Sequence, residues 1–128
     1  MGNSLSSGAF IYLDGDAVGA RIELHLLHNE VEASATVSAA VVRAVGEIAD
    51  DIRTRMGGHI VFAAGDEVLG VVSEVPTLES IDRVRFAFHA ATGLTISCGV
   101  GATAAEAARN LHLAKLLGKD RHCGMVRT

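Results

Sequence analysis

Two short apolar runs, Ile60–Ala63 and Val68–Val72, are separated only by Gly65-Asp66-Glu67 and the alanine before them. A gap that short leaves the runs little choice but to pair as an antiparallel hairpin, with Gly supplying the turn. Two adjacent carboxylates then sit at the hairpin tip, where their repulsion is concentrated. Such a tip is an ordinary solvated turn in many proteins. It becomes a cation site when further carboxylates lie nearby, because hard oxygen donors suit Mg²⁺ or Mn²⁺.

A second acidic turn exists. Ala9–Leu13 is a continuous apolar run that reads as a strand buried on both faces, and it ends at Asp14-Gly15-Asp16. If this strand neighbours the hairpin, Asp14, Asp66 and Glu67 meet at one sheet edge. A carboxylate at a strand end together with a pair on a hairpin is the arrangement with which polymerase palms hold two divalent ions.

Helical spacing fills the remainder. Val18, Ile22 and Leu26 recur every four residues over 17–28, and Val37, Val41, Val45, Ile48 and Ile52 mark a longer helix over 33–56, stopped by Gly57-Gly58. Thr77 caps a helix reaching Thr92 with Ile81, Val84 and Phe88 inward, and Gly93 closes it. A strand over 94–100 follows. Thr103 and Glu106 then form a capping box for a helix running to Leu117. The tail over 121–128 reads as a short edge strand. Aromatics are only 4% of the 128 residues, so the core must be aliphatic. This order predicts an α+β, ferredoxin-like (split βαβ) fold, its antiparallel-rich sheet covered on one face by helices. Residues 1–8 are expected to be a flexible tail and 9–128 a single domain. Met1-Gly2 followed by Ser6 also fits the permissive N-myristoylation pattern.

A net charge of −4 argues against a nucleic-acid polymer as partner. No apolar run reaches the roughly 18 residues of a membrane span. Cys98 and Cys123 lack C-x-x-C spacing, so a reduced, cytoplasmic setting is expected. The six histidines are scattered and do not suggest zinc. Asp50-Asp51 reads as a solvated helix face and Cys98 as a small core residue. Lys115 and Lys119 lie four residues apart on the last helix, with Arg121 beyond, and present a cationic end suited to phosphate.

In wording and order these segments resemble nucleotidyl cyclase palm domains. Phe62-Ala-Ala-Gly-Asp-Glu-Val-Leu69 is similar to their G-G-D-D or G-G-D-E-F hairpin, and Tyr12-Leu-Asp-Gly-Asp16 to their first-strand motif. Ser97-Cys-Gly-Val-Gly101 and Ala114-Lys-Leu-Leu-Gly-Lys-Asp-Arg121 resemble their closing strand and helix. Taken together, over residues 9–121, the chain most resembles the minimal CRISPR polymerases (mCpol). These are stand-alone relatives of the palm in the large subunit of type III CRISPR complexes.

The resemblance implies Asp14, Asp66 and Glu67 as catalytic carboxylates and metal ligands for Mg²⁺ or Mn²⁺, with the Gly15 carbonyl as a further ligand. It implies that Lys115 and Lys119 bind triphosphate, that Ser97 touches the base, and that Gly65 and Asp16 belong to the nucleotide site. The implied substrate is an NTP, with ATP favoured. The implied product is a cyclic di- or oligonucleotide messenger read by a separate effector in anti-phage defence. Joining two nucleotides with one palm per chain implies a homodimer. The alternatives are a GTP cyclohydrolase III-like or mononucleotide cyclase palm, or a degenerate palm that binds nucleotide without turnover. Ala64 departs from the Gly doublet and Glu67 from the second Asp. Ile22 stands where diguanylate cyclases carry their guanine-reading Asn, and no R-x-x-D inhibitory motif precedes the hairpin.

Overall fold

The computed structural model describes residues 8–127. The expected tail, apart from Gly8, and the myristoylation pattern lie outside them. The elements run β1 (Ala9–Gly15), α1 (Val18–Leu27), α2 (Val31–Thr54), β2 (His59–Ala64), β3 (Glu67–Val72), α3 (Leu78–Thr92), β4 (Ile96–Gly101), α4 (Ala104–Leu116) and β5 (His122–Gly124). The strands form one sheet in the order β2-β3-β1-β4-β5. β3 is antiparallel to both β2 and β1, so β1 and β2 are parallel with β3 inserted between them. β1 is likewise inserted between β3 and β4. Two interleaved split βαβ units result, which is the ferredoxin-like palm the sequence predicts. β5 adds to β4 in parallel.

Ile11 and Leu13 of β1 and Val68 and Val72 of β3 point to one face, where Val45, Ile48 and Ile52 of α2 and Ile81, Val84 and Phe88 of α3 meet them. All of these residues are at most 5% exposed. Burying each such side chain contributes about 1.5–3 kcal/mol, which holds the helical layer on the sheet. The layer expected on one face consists of α2 and α3, with α1 packed on α2. α4 lies across the opposite face. A Cβ on Gly99, which pairs with Tyr12, would come within 2.2 Å of the Ala107 carbonyl oxygen and the Leu111 nitrogen. Its buried face is Ala107, Leu111 and Ala114, while Leu113 and Leu117 are 44% and 53% exposed. The small residues win because α4 runs almost in contact with the strand backbone.

Other departures are local. Asp51 is not solvated: Arg83 of α3 grips it with Nη2–Oδ1 at 2.7 Å and Nε–Oδ2 at 3.1 Å. The Glu106 carboxylate accepts from the Ala102 amide rather than from that of the Thr103 cap. Cys98 is fully buried as expected, and burial pushes its thiol up to about 12. Among the described residues no helix is long and apolar enough to cross a membrane.

Candidate active site

Three elements converge at one sheet edge. Near the end of β1, Asp14 pairs with Glu67 at the start of β3 and with Ser97 of β4. Strand alternation puts Asp14 and Glu67 on the same face. The hairpin turn is only Gly65-Asp66, and Gly65 (φ 60°) fills the first central position, where a II′ hairpin demands positive φ. Ala64 sits within β2 opposite Glu67, so the missing first Gly of the doublet removes no conformational freedom that this turn uses. The tip folds against β1 because residue 15 is glycine. The Gly15 amide donates to the Asp66 carbonyl at 3.0 Å, and a Cβ there would lie 2.7 Å from Val18 Cγ2 and 3.2 Å from Asp66 Oδ2.

Carboxylate oxygens of Asp14, Asp66 and Glu67 consequently lie within 4.8 Å of one another. Burial and then the Asp14 charge raise the Asp66 carboxyl above its ordinary value. Three hard oxygen donors crowded by mutual repulsion, in a cradle that a side chain at position 15 would fill, fit a divalent cation. Residue 67 being glutamate does not take its carboxylate out of the cluster. It is held by the Tyr12 hydroxyl, which donates to Glu67 Oε1 at 2.9 Å. Tyr12 is itself braced edge-on by Phe62, with ring centroids 6.0 Å apart. Burial and the Glu67 hydrogen bond push the phenol up to about 12, so it remains a donor. The sequence reading gave Tyr12 no role, although its place two residues before Asp14 puts both side chains on one strand face.

Lys115 reaches this edge from the last turn of α4. Its ammonium lies 3.0 Å from Asp14 Oδ2 and 2.7 Å from Asp16 Oδ1, and donates to the main-chain oxygens of Asp14 (3.1 Å) and Gly15 (2.9 Å). Burial alone would lower its affinity for the proton, but Asp16 and Asp14 outweigh burial and raise it. Asp16, grouped with the nucleotide ligands on resemblance, is 4% exposed and spent on the protein. Thr95 Oγ1, Ser97 Oγ, the Asp120 amide and Lys115 all donate to it, at 2.7, 2.8, 3.0 and 2.7 Å. Burial pushes its carboxyl up, but these donors, Lys115 foremost, bring it below the usual value.

Ser97, expected to touch the base, is 0% exposed and its hydroxyl donates to Asp16. Its full burial follows from β4 lying inside the sheet with α4 over it. Lys119 is exposed just beyond α4, and it and Asp120 both adopt left-handed backbone (φ 66° and 51°). Arg85 of α3 pins that loop through Asp120 at 2.7 Å. Thr95, Asp120 and Arg85 are thus site-supporting residues that no motif announced.

One feature was not foreseen. Gly65 and Asp66 form one end of a groove of about 260 Å³ between α1 and α2, lined by Val18, Gly19, Ile22, Ser38, Val41 and Val42. Ile22, the residue at the guanine-reading position, faces this groove, where Ser38 supplies the one side-chain hydroxyl among the lining residues.

Comparison with known proteins agrees with this architecture. The Csm1–Csm4 cassette in complex with cA4 superposes with a TM-score of 0.68 at 22% identity, over 91% of this chain and 21% of the other. The diguanylate cyclase SiaD of Pseudomonas aeruginosa, solved with its activator SiaC, gives 0.62 at 20% identity, covering 90% and 48%. The GGDEF domain of PA1120 (YfiN or TpbB), also from Pseudomonas aeruginosa, gives 0.54 at 14% identity, covering 98% and 91%. At these identities the likeness is one of fold, and the chain spans about a fifth of the Csm1 chain it matches. No curated protein sequence matches it. The family profile of the minimal CRISPR polymerase domain matches residues 10–125, nearly the whole chain. The chain belongs to the mCpol family of minimal CRISPR polymerase domains.

Proposed function

We propose that this protein is a nucleotidyltransferase, dependent on Mg²⁺ or Mn²⁺, that joins NTPs and cyclises them into a di- or oligonucleotide. The observation that carries the reading is the convergence of Asp14, Asp66 and Glu67 within 4.8 Å, beside a half-buried lysine at a helix end. Asp14, Asp66, Glu67 and the Gly15 carbonyl would hold the metal. Bound there, it supplies the charge that steadies the triphosphate and acidifies the attacking hydroxyl. Lys115 and Lys119 neutralise the β- and γ-phosphates. Gly65 leaves the hairpin tip bare so that phosphate can approach the carboxylates. A ribose hydroxyl oxygen attacks the α-phosphorus of the neighbouring nucleotide. That P–O bond forms as the bond to the α,β-bridging oxygen breaks, pyrophosphate leaves, and the hydroxyl proton passes to solvent. A second transfer closes the ring.

ATP is the favoured substrate. In the groove beside Asp66, Ile22 stands in place of the guanine-reading amide. Csm1–Csm4 cassettes of this fold have been captured with one ATP and with cA4. The product then acts as a messenger for a separate effector in anti-phage defence. Incubating the protein with each NTP and Mg²⁺ or Mn²⁺, and identifying products by mass spectrometry, tests the reading. The expected result is pyrophosphate and a cyclic adenylate from ATP. Absence of any cyclic product from all four NTPs would overturn it.

A further inference from the structure

Lys115 stands in an unexpected place for a phosphate ligand. Four oxygens surround its ammonium within 3.1 Å: the Asp14 and Gly15 main-chain oxygens, Asp14 Oδ2 and Asp16 Oδ1. Two of them, the Asp14 carboxylate oxygen and the Gly15 carbonyl, belong to groups that would hold the metal on the reading above. An ammonium has no lone pair to offer a cation, and one held a few ångströms from a divalent ion repels it strongly. The two cannot occupy this corner together.

We propose that Lys115 is a built-in counter-cation. It holds the metal-side oxygens while the site lacks nucleotide and releases them when a triphosphate draws it away, so that metal and nucleotide bind as one coupled event. The inference rests on the metal-dependent reading and extends it. Asp16 makes the exchange possible. Fixed from three sides by Thr95, Ser97 and the Asp120 amide, it is a permanent anionic pivot outside the metal cluster. Lys115 can keep that partner while its flexible stem swings the ammonium from the Gly15 carbonyl toward incoming phosphate. Linkage makes the effect reciprocal: nucleotide raises metal affinity by the factor by which metal raises nucleotide affinity. The sign separates this role from its rivals. A simple phosphate ligand leaves metal affinity in the absence of nucleotide untouched when it is removed, and a merely structural lysine lowers it. A counter-cation, once removed, raises it.

The test is a Mn²⁺ titration, followed by calorimetry or by the electron paramagnetic resonance of free Mn²⁺. Wild type and Lys115→Met are compared first without nucleotide, then with a non-hydrolysable ATP analogue. Lys115→Met should bind Mn²⁺ without nucleotide at least about fivefold more tightly than wild type, the lower end of ordinary coupling. It should also lose most of the enhancement that the analogue gives wild type. An unchanged or weaker affinity without nucleotide overturns the counter-cation role while leaving the proposed function standing. If wild type binds no Mn²⁺ even with the analogue, the functional reading falls and the inference with it. Should Lys115→Met fail to fold, ¹⁵N spectra of the lysine ammonium groups in wild type decide. The Lys115 signal should shift when Mg²⁺ and analogue are added, and an unmoved signal overturns the proposal.

Discussion

Asp66 is raised by burial and by the Asp14 charge, so the folded protein holds that proton more firmly than the unfolded chain does. Its contribution to stability is therefore fully present below the ordinary value of 3.8 and is lost as pH rises through the higher folded value. At neutral pH the repulsion stands. Asp66→Asn should abolish turnover yet raise Tm at pH 7, because it removes that repulsion. Calorimetry should show that gain shrinking toward pH 4, and a fall in Tm at pH 7 would contradict the account. Tyr12 makes the complementary case. Tyr12→Phe removes one hydrogen bond, about 0.5–1.5 kcal/mol, and frees Glu67 to turn away. Stability should change little while Mn²⁺ affinity in the presence of nucleotide falls several-fold, and an unchanged affinity would show that Glu67 needs no brace. These two residues also mark what the sequence makes legible. Asp14, Asp66 and Glu67 stand out because two acidic turns fall at strand ends of one small domain. Tyr12, Thr95 and Asp120 do not, because a hydroxyl or a backbone amide gains its role only from what the fold sets opposite it. The burial of Ser97 was hidden for the same reason: a motif fixes position in a strand but not which side of that position is open.

The helices repeat this at the next scale. α3 was readable because one-sided periodicity, an N-cap threonine and a closing glycine (φ 74° at Gly93) all agree, and α2 from its one-sided periodicity alone, since no side chain caps its start. α4 begins at the capping threonine the sequence predicts, but its buried face is not a leucine stripe. Leucines usually define the inner stripe, yet here Gly99 and Gly101 of β4 bring the helix so near the strand that only Ala107, Leu111 and Ala114 fit beneath it. That closeness fixes the height from which Lys115 reaches the Gly15 carbonyl. Gly99→Ala would set a methyl 2.2 Å from the backbone of Ala107 and Leu111, which cannot yield as a side chain can. The expected loss is about 3 kcal/mol, at the upper end of ordinary overpacking. The helix would be lifted and Lys115 withdrawn from Asp14. Denaturant unfolding measures the first effect. For the second, the Lys115 ammonium signal should lose its hydrogen-bonded character, and wild-type stability in this variant would mean that α4 is free to ride higher.

At the scale of the whole molecule one carboxylate cluster is present among the described residues, while the proposed cyclic product needs two nucleotides, each presenting a hydroxyl to the other's α-phosphate. On that reading the second nucleotide would come from another copy, most simply across a two-fold axis with the two sites face to face. The surface beside the cluster suits this arrangement. α4 covers β4 and β5, but the same sheet face over β1, β3 and β2 carries half-buried Tyr12 and Leu69 and the 39% exposed Phe62, at the edge where Asp14 and Glu67 sit. A dimer formed there would enclose both triphosphates between like-charged carboxylates, so bound cations and nucleotide would tighten it and their removal would loosen it. Turnover per molecule should therefore fall as the protein is diluted below the dimer's dissociation constant. Sedimentation at the same concentrations identifies the species. Specific activity that stays flat down to concentrations where only monomer sediments would rule the dimer out and require both nucleotides to bind one chain.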